Sequence, residues 1–222
     1  MITIQQLQFR YPAGNFQLVM DRFTVARSEK VAVIGPSGSG KTTLLNLVSG
    51  ILLPGAGSIA VGGESISRLS EARRRDFRIT TIGFVFQDFE LFDYLNVLDN
   101  ILHPYRITGA LKLDRNVKAR AAALAHEMGI GGMLKRHPDN LSQGEKQRVA
   151  ICRALLPRPK LILADEATGN LDPDSKIRIL NLLFRVVDEH DATLLAVTHD
   201  HELLIHFDRV VDFRHFRVRE AA

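Results

Sequence analysis

The chain has 222 residues, 45% hydrophobic and 24% charged, a globular balance that excludes collagen-like, disordered and coiled-coil chains. A chain of this length buries roughly 70% of its unfolded surface without needing disulfides or a structural metal. The 29 Lys and Arg outnumber the 25 Asp and Glu, leaving a net charge of +4, and the single cysteine, Cys152, permits no intrachain disulfide and fits a reducing compartment.

No apolar run approaches the roughly 18 residues that span a bilayer. The most apolar stretch, Leu44 to Leu53, is broken by Asn46, Ser49 and Gly50. The first residues, MITIQQLQFRYP, lack the basic region and long apolar core of a secretory signal. The expectation is a protein that is neither secreted nor integral to a membrane, and that meets a membrane only through a partner. Part of the positive excess sits in Arg73, Arg74, Arg75 and Arg78, and part in Arg209, Arg214, Arg217 and Arg219. One reading is an anionic partner, nucleic acid or acidic lipid headgroups. The favoured reading is a solvated helix face and a polar tail, because no aromatic residues interleave these arginines.

In chain order, Ile2 and Ile4, then Leu7 and Phe9, alternate with polar residues, the period of a half-buried strand. Phe16 to Val25 repeats the pattern. Lys30 to Ile34 is a short apolar run that leads into glycine, as in a strand buried on both faces. A helix is expected from Thr43 to Ser49 and a strand from Ile82 to Phe86. Val97 to Ile107, Lys118 to Met128 and Gln143 to Leu156 read as helices, with Gly129 to Gly132 and Pro138 as punctuation. Leu161 to Ala164 and Thr193 to Val197 are two further buried-strand runs. Between them Ile177, Ile179, Leu180, Leu183, Phe184 and Val187 give Ser175 to Glu189 one apolar face. Strand–helix–strand alternation predicts an α/β protein with a parallel sheet. Residues 88–157 are expected to be a helical subdomain inserted into a core made of 1–87 and 158–222, all within a single domain.

Three motifs carry chemistry. Gly35-Pro36-Ser37-Gly38-Ser39-Gly40-Lys41-Thr42 fits GxxxxGK[ST], between a buried strand and a helix. The glycines let backbone N–H groups turn inward around phosphate oxygens, Lys41 reaches the β- and γ-phosphates, and the Thr42 hydroxyl takes a place on Mg²⁺. The helix start, with Thr43 beside it, adds partial positive charge. Asp165 ends a buried strand, where a carboxylate holds Mg²⁺, usually through water. Glu166, next in the chain, is placed to polarise an attacking water. Leu141-Ser142-Gln143-Gly144-Glu145 contains S-x-x-E, a helix capping box, and a helix start with serine and glycine is also a phosphate site. The two roles are geometrically compatible. Cys152, beside Ile151 and Ala154 on a predicted helix, reads as a small core residue, and the eight histidines show no metal-ligand spacing.

Taken together these motifs, in this order, resemble the nucleotide-binding subunit of an ATP-binding cassette (ABC) transporter over essentially the whole chain. The resemblance implies a P-loop ATPase fold with a mainly parallel core, an antiparallel β subdomain and the helical insertion. It implies ATP and Mg²⁺, with Tyr11 stacked on adenine and Gly35 to Thr42 as the phosphate loop. Gln87 matches the glutamine that touches Mg²⁺ and the attacking water. Ser142 and Gly144 lie in the signature, Asp165 and Glu166 are the metal-binding and catalytic carboxylates, Asp172 communicates across a dimer, and His199 is the switch histidine on the γ-phosphate. Gln143 departs from the usual first signature glycine, and Ala167 from the proline common after the catalytic glutamate. Ile82-Gly-Phe-Val-Phe-Gln87 and Asp165-Glu-Ala-Thr-Gly-Asn-Leu-Asp172 are similar to the ATPases of lipoprotein-release, macrolide-efflux and cell-division complexes.

The implied protein is a head-to-tail homodimer with ATP between the chains, peripheral on the cytoplasmic face of a membrane and coupled to a separate permease. The permease surface is expected near Gln87 and the 88–94 loop, with Phe89, Leu91, Phe92 and Tyr94 as candidates. No nucleic acid is expected. Two alternatives stay open at this level: an ABC ATPase acting on nucleic acid or ribosomes, which a membrane-protein pull-down separates, and a non-hydrolysing nucleotide sensor, which ATP turnover separates.

Overall fold

The computed structural model describes residues 1–169, 171 and 173–220. The chain opens with β1 (Ile2–Arg10), β2 (Phe16–Val25), β3 (Lys30–Ile34) and α1 (Lys41–Val48). Then come β4 (Ala56–Val61), β5 (Glu64–Ser65), α2 (Glu71–Thr81) and β6 (Ile82–Val85). Three helices follow, α3 (Val97–Leu102), α4 (Arg115–Glu127) and α5 (Gln143–Leu155). The chain continues through β7 (Leu161–Asp165), α6 (Pro173–Glu189), β8 (Thr193–Val197), β9 (Arg209–Asp212) and β10 (Arg217–Glu220).

Two five-stranded sheets form. One is antiparallel, in the order β10-β2-β1-β4-β5, and the other is parallel, in the order β6-β7-β8-β3-β9. The three wholly apolar runs are the three central strands of the parallel sheet. Every residue of β7 and β8 is buried. Their side chains alternate between two cores, as a period of two requires. Ile162, Ala164, Leu194 and Ala196 join helices α3 to α6, while Leu161, Leu163, Leu195 and Val197 join α1 and the antiparallel sheet.

The jump from Ile4 to Leu7 in the first apolar pattern has a structural cause. The register between β1 and β4 shifts between Gln5 and Gln8, and Gln6 sits at φ 48. This is a bulge with one extra residue in β1, and it returns Leu7 to the core face after two outward residues. Gly57, opposite at φ 83, leaves room for it, since a Cβ there would lie 2.2 Å from the Gln6 carbonyl oxygen.

Two expectations need adjustment and one is met. The helix expected over 97–107 ends at Leu102 and tightens to a 3₁₀ turn over His103–Tyr105, because Pro104 has no N–H to continue the ladder. The arginine run is the expected solvated helix face: it lies on α2, started by the Ser70 hydroxyl accepting from Arg73 N–H, with no buried residue. The antiparallel sheet also contains β4, β5 and β10, which show no clean alternation. Among the described residues, no helix is long and apolar enough to cross a membrane.

Gly57→Ala should destabilise the protein by about 1–3 kcal/mol, since it adds left-handed strain to a clash with backbone. A urea midpoint within error of the parent's, at unchanged slope, would show that the bulge yields freely.

Candidate active site

The register of the parallel sheet decides what meets at its C-terminal edge. Val33 pairs with Val197, Val197 with Asp165, Ala164 with Val85, and Ile34 with Asp212. The residues that follow these strands therefore emerge side by side: Gly35 after β3, Glu166 after β7, His199 after β8, Gln87 after β6 and Phe213 after β9. Ligands of open α/β sheets bind beyond this edge.

Between β3 and α1 the chain forms a compact loop. Gly38 and Gly40 hold φ 76 and φ 98, conformations that favour glycine, and Gly40 is the N-cap of α1. A Cβ on Gly40 would also strike the Phe16 ring at 2.5 Å. Gly35 lies against Phe213, which is fully buried, so the loop is braced by rings from β2 and from the segment after β9. Lys41 is only 7% exposed, and its ammonium donates to the carbonyls of Gly35 and Pro36, both at 2.8 Å. Ser39 Oγ is buried with no hydrogen-bond partner among the described residues. Ser37 and Pro36 complete the loop.

Asp165, at the end of β7, is 9% exposed. Burial pushes its carboxyl above the usual range, against a hydrogen bond from Thr42 and the charge of Lys41, while the neighbouring Glu166 adds to the rise. The Thr42 hydroxyl and the Asp165 carboxylate thus form one cluster. Glu166 leaves the strand at φ 45, an uncommon conformation for a residue with a side chain. Its N–H donates to the Val197 carbonyl at 3.0 Å and its carbonyl accepts from Gly169 at 2.8 Å. Glu166 Oε2 lies 3.2 Å from His199 Nδ1. Beside them a cavity of about 450 Å³ is lined by Gly35, Pro36, His199, His201, Asp212 and Arg214. Tyr11, just past β1, pairs its hydroxyl with Thr43 Oγ1 at 3.1 Å and sets its ring edge-on to Phe9.

The structure therefore brings together Tyr11, the loop, Lys41, Thr42, Thr43, Asp165, Glu166 and His199. Gln87 is exposed at the same sheet edge. Ser142 and Gly144 are not in this group. They begin α5, which packs on α3, α4, β6 and α6. The capping box is complete: Ser142 Oγ accepts from Glu145 N–H at 3.3 Å, and Ser142 N–H donates to Glu145 Oε2 at 2.6 Å. That hydrogen bond holds the Glu145 carboxyl below its ordinary range. A Cβ on Gly144 would make only ordinary contacts, with Arg148 Nη1 at 3.7 Å and Leu171 Cδ2 at 3.9 Å. Nothing in its own chain demands a glycine there. Asp172 lies outside the described residues.

One residue escaped the sequence reading. Arg153 of α5 is 9% exposed and donates to the carbonyls of Phe89, at 2.6 Å, and Glu90. Phe89 and Glu90 hold φ 62 and φ 49, so Arg153 clamps a left-handed turn directly after Gln87 and Asp88. Burial lowers its guanidinium to about 10. The signal was a lone cation within an otherwise apolar helix face, Val149 to Leu156.

The model of the ABC transporter family matches residues 20–169. The chain belongs to that family. It is 44% identical over 183 residues to the lipoprotein-releasing system ATP-binding protein LolD 2 of Caulobacter vibrioides, covering 82% of this chain and 79% of that protein. It is 41% identical over 223 residues to the macrolide export ATP-binding/permease protein MacB of Rhodopirellula baltica, covering 99% of this chain and 33% of the other. The dimeric post-hydrolysis state of the ATP-binding cassette MJ0796 bound to ADP and Pi superposes with a TM-score of 0.85 at 29% identity, over 96% of this chain and 94% of that one. This chain is accordingly an ATP-binding, ATP-hydrolysing ABC subunit with the α/β cassette fold.

Two variants probe the site. Asp165 has a raised folded-state pKa, so its ionisation opposes folding as pH rises through the carboxylate range. In the absence of nucleotide, Asp165→Asn should melt higher than the parent at pH 7, with the gap closing towards pH 3, where both forms are neutral. A lower melting temperature at pH 7 would reverse the sign assigned here. Ser142→Ala should cost roughly 0.5–2 kcal/mol through loss of the cap, checked by urea unfolding.

Proposed function

We propose that the site works as half of a composite catalytic centre in a head-to-tail dimer, with each ATP bound by Gly35 to Thr42 of one chain and by Ser142 and Gly144 of the other. The carrying observation is the pair Glu166–His199 beside the Asp165–Thr42 cluster, at one sheet edge with the phosphate loop. Lys41 would ion-pair with the β- and γ-phosphates, and the loop N–H groups would cradle them. Tyr11 would give up its hydroxyl contact or keep it while its ring meets adenine. Glu166 would accept a hydrogen bond from the attacking water and take its proton, with His199 Nδ1 holding that carboxylate in position and the ring reaching the γ-phosphate. The family resemblance gives Asp172 a part in communication across the dimer. The Ser142 and Gly144 assignment is supported by the exposure of Ser142 at the start of α5 and by dimeric relatives of this fold.

The Thr42 hydroxyl and Asp165 carboxylate are hard oxygen donors joined in one cluster, a set that fits Mg²⁺, with the Gln87 amide as a third candidate. The ion would neutralise phosphate charge there. A carboxyl already reluctant to ionise in the fold gains a counter-charge when a cation binds.

Residues 1–87 and 158–222 are read as the nucleotide core and 88–157 as the helical subdomain. Between them a groove of about 780 Å³ runs past β6, α2 and the 90–92 loop. It is the proposed seat of a membrane permease segment, on the cytoplasmic face. Leu91 and Phe92 line it, whereas Phe89 is turned inward and 8% exposed, and Tyr94 stands 74% exposed outside it. The likeness to LolD and MacB supports an export, lipoprotein-release or mechanotransmission role, with the cargo recognised by the permease.

Glu166→Gln should keep ATP binding and lower turnover by about 10²-fold or more. Rates within threefold of the parent would remove Glu166 from the catalytic role. For the shared site, Ser142→Arg chains are mixed with Lys41→Ala chains. In a head-to-tail heterodimer both defects fall in one centre and leave the other intact, so activity should partly return. If each chain completed its own site, every site would carry one defect and mixing would restore nothing.

A further inference from the structure

The groove between the core and the helices has a chemistry of its own. Its floor and far wall are apolar: Phe84 and Phe86 stack with centroids 4.1 Å apart and planes within 8°, and Leu91, Phe92 and Ile107 line it with them. Its near wall is α2. Ala72, Arg75, Asp76 and Ile79 line the groove at helical spacing, a stripe about two turns and 11 Å long. The helix has no fully buried residue, and across the groove the stripe is met by the Thr108 hydroxyl at Asp76.

The charges on the two walls are unequal. Three arginines, Arg75, Arg78 and Arg153, line the groove with two carboxylates, Asp76 and Glu90. Arg153 is held by the carbonyls of Phe89 and Glu90, with the Glu90 charge beside it. Asp76 accepts the Thr108 hydroxyl at 2.9 Å across the groove. His103 is kept neutral by burial and by the charges of Arg153 and Arg106. The excess is therefore on α2. Arg78 is half-buried, its Nη1 donates only to the Ser49 carbonyl at 3.3 Å, and it is repelled by Arg74 and Arg75. Arg74 donates to the Leu69 carbonyl, and the closest carboxylate to any of the three is that of Glu71, 3.9 Å from Arg75 and well exposed. Arg78, half-buried and with no carboxylate in ion-pair range among the described residues, gains most from an incoming carboxylate.

We propose that this groove selects a short helix of the membrane subunit that is apolar on the side facing Phe84, Phe86 and Phe92 and carries at least one Asp or Glu on the side facing Arg75 and Arg78. The inference rests on the reading of the groove as the permease seat, and it adds the charge that the occupant must bring. The aliphatic part of the lining, Ile79, Leu91 and Ile107, suits an apolar helix face and offers no donor to a phosphate. The aromatic floor contributes affinity, and the arginine pair sets register and excludes helices with Lys or Arg at that position.

The test uses the full chain and its membrane subunit in detergent. Single cysteines at Ile79 and Ile107 cross-link the occupant, and peptide mapping identifies the segment. Binding is then measured for the parent, Arg78→Glu, Arg75→Glu and Phe92→Asp. Each variant is checked for parental circular dichroism and ATP affinity. The mapped segment is expected to carry an acidic residue. Arg78→Glu and Arg75→Glu should each weaken binding, together by tenfold or more, and more so at low salt than at high salt. Replacing the acidic residue with Lys should restore affinity to the Arg78→Glu chain to within threefold of the parental pair. If Phe92→Asp abolishes binding while both charge reversals bind as the parent does, the groove is the seat but the acidic requirement is wrong. If none of the three variants changes affinity, the seat lies elsewhere and the inference fails with it. Arg75 is exposed and tolerates reversal, so the test stands even where Arg78→Glu folds poorly.

Discussion

The central strands of the parallel sheet have no wet face. β7 and β8 are buried throughout and β3 along its middle, with helices α3 to α6 on one side and α1 with the antiparallel sheet on the other. Polar side chains cannot be placed along such strands without large desolvation costs. They can be placed only where the strands end. Because the strands are parallel and in register, their C-terminal ends coincide, and loops from distant parts of the chain converge on one edge. The candidate active site follows from that geometry: a glycine-rich loop after β3, two carboxylates at the end of β7, a histidine after β8 and a glutamine after β6.

The same edge holds several unfavourable states. Lys41 and Asp165 are both nearly buried, and Asp165 resists ionisation. Ser39 Oγ has no hydrogen-bond partner among the described residues, and Glu166 is held at a positive φ. Such groups lower the stability of the protein alone and are retained where function requires them. Two phenylalanines, Phe16 and Phe213, carry the structural side of this trade by bracing the glycines of the loop.

Helix α5 joins the two regions that are proposed to act together. Its N-terminus presents Ser142 and Gly144, and its far end carries Arg153, which clamps the left-handed turn after Gln87 and lines the groove. Under the proposed dimer, a displacement of the α5 start on ATP closure would reach the groove through one rigid element and one buried cation.

The sequence by itself determined the chemistry and the order of the strands that carry it. GxxxxGK[ST] was legible because its glycines supply the positive φ that Gly38 and Gly40 adopt, conformations that favour glycine. Asp165 and Glu166 were legible because an apolar run ends in two acids, and the three dry strands because both of their faces need apolar side chains. Several features were decided only by the tertiary structure. The spacing of Ile4 and Leu7 made sense only once Gln6 was seen to bulge against Gly57. The arginine run of α2 was legible as a solvated helix face, but that it borders a groove shared with Phe84, Phe86 and Phe92 was decided by the tertiary structure. Arg153 looked like a misplaced cation until two carbonyls from residues more than sixty positions away were found on it. Local pattern records which face of an element is dry and which backbone angles a turn needs. It carries no record of which distant carbonyl, ring or charge will stand opposite, because that is fixed by how the two cores close around the sheet.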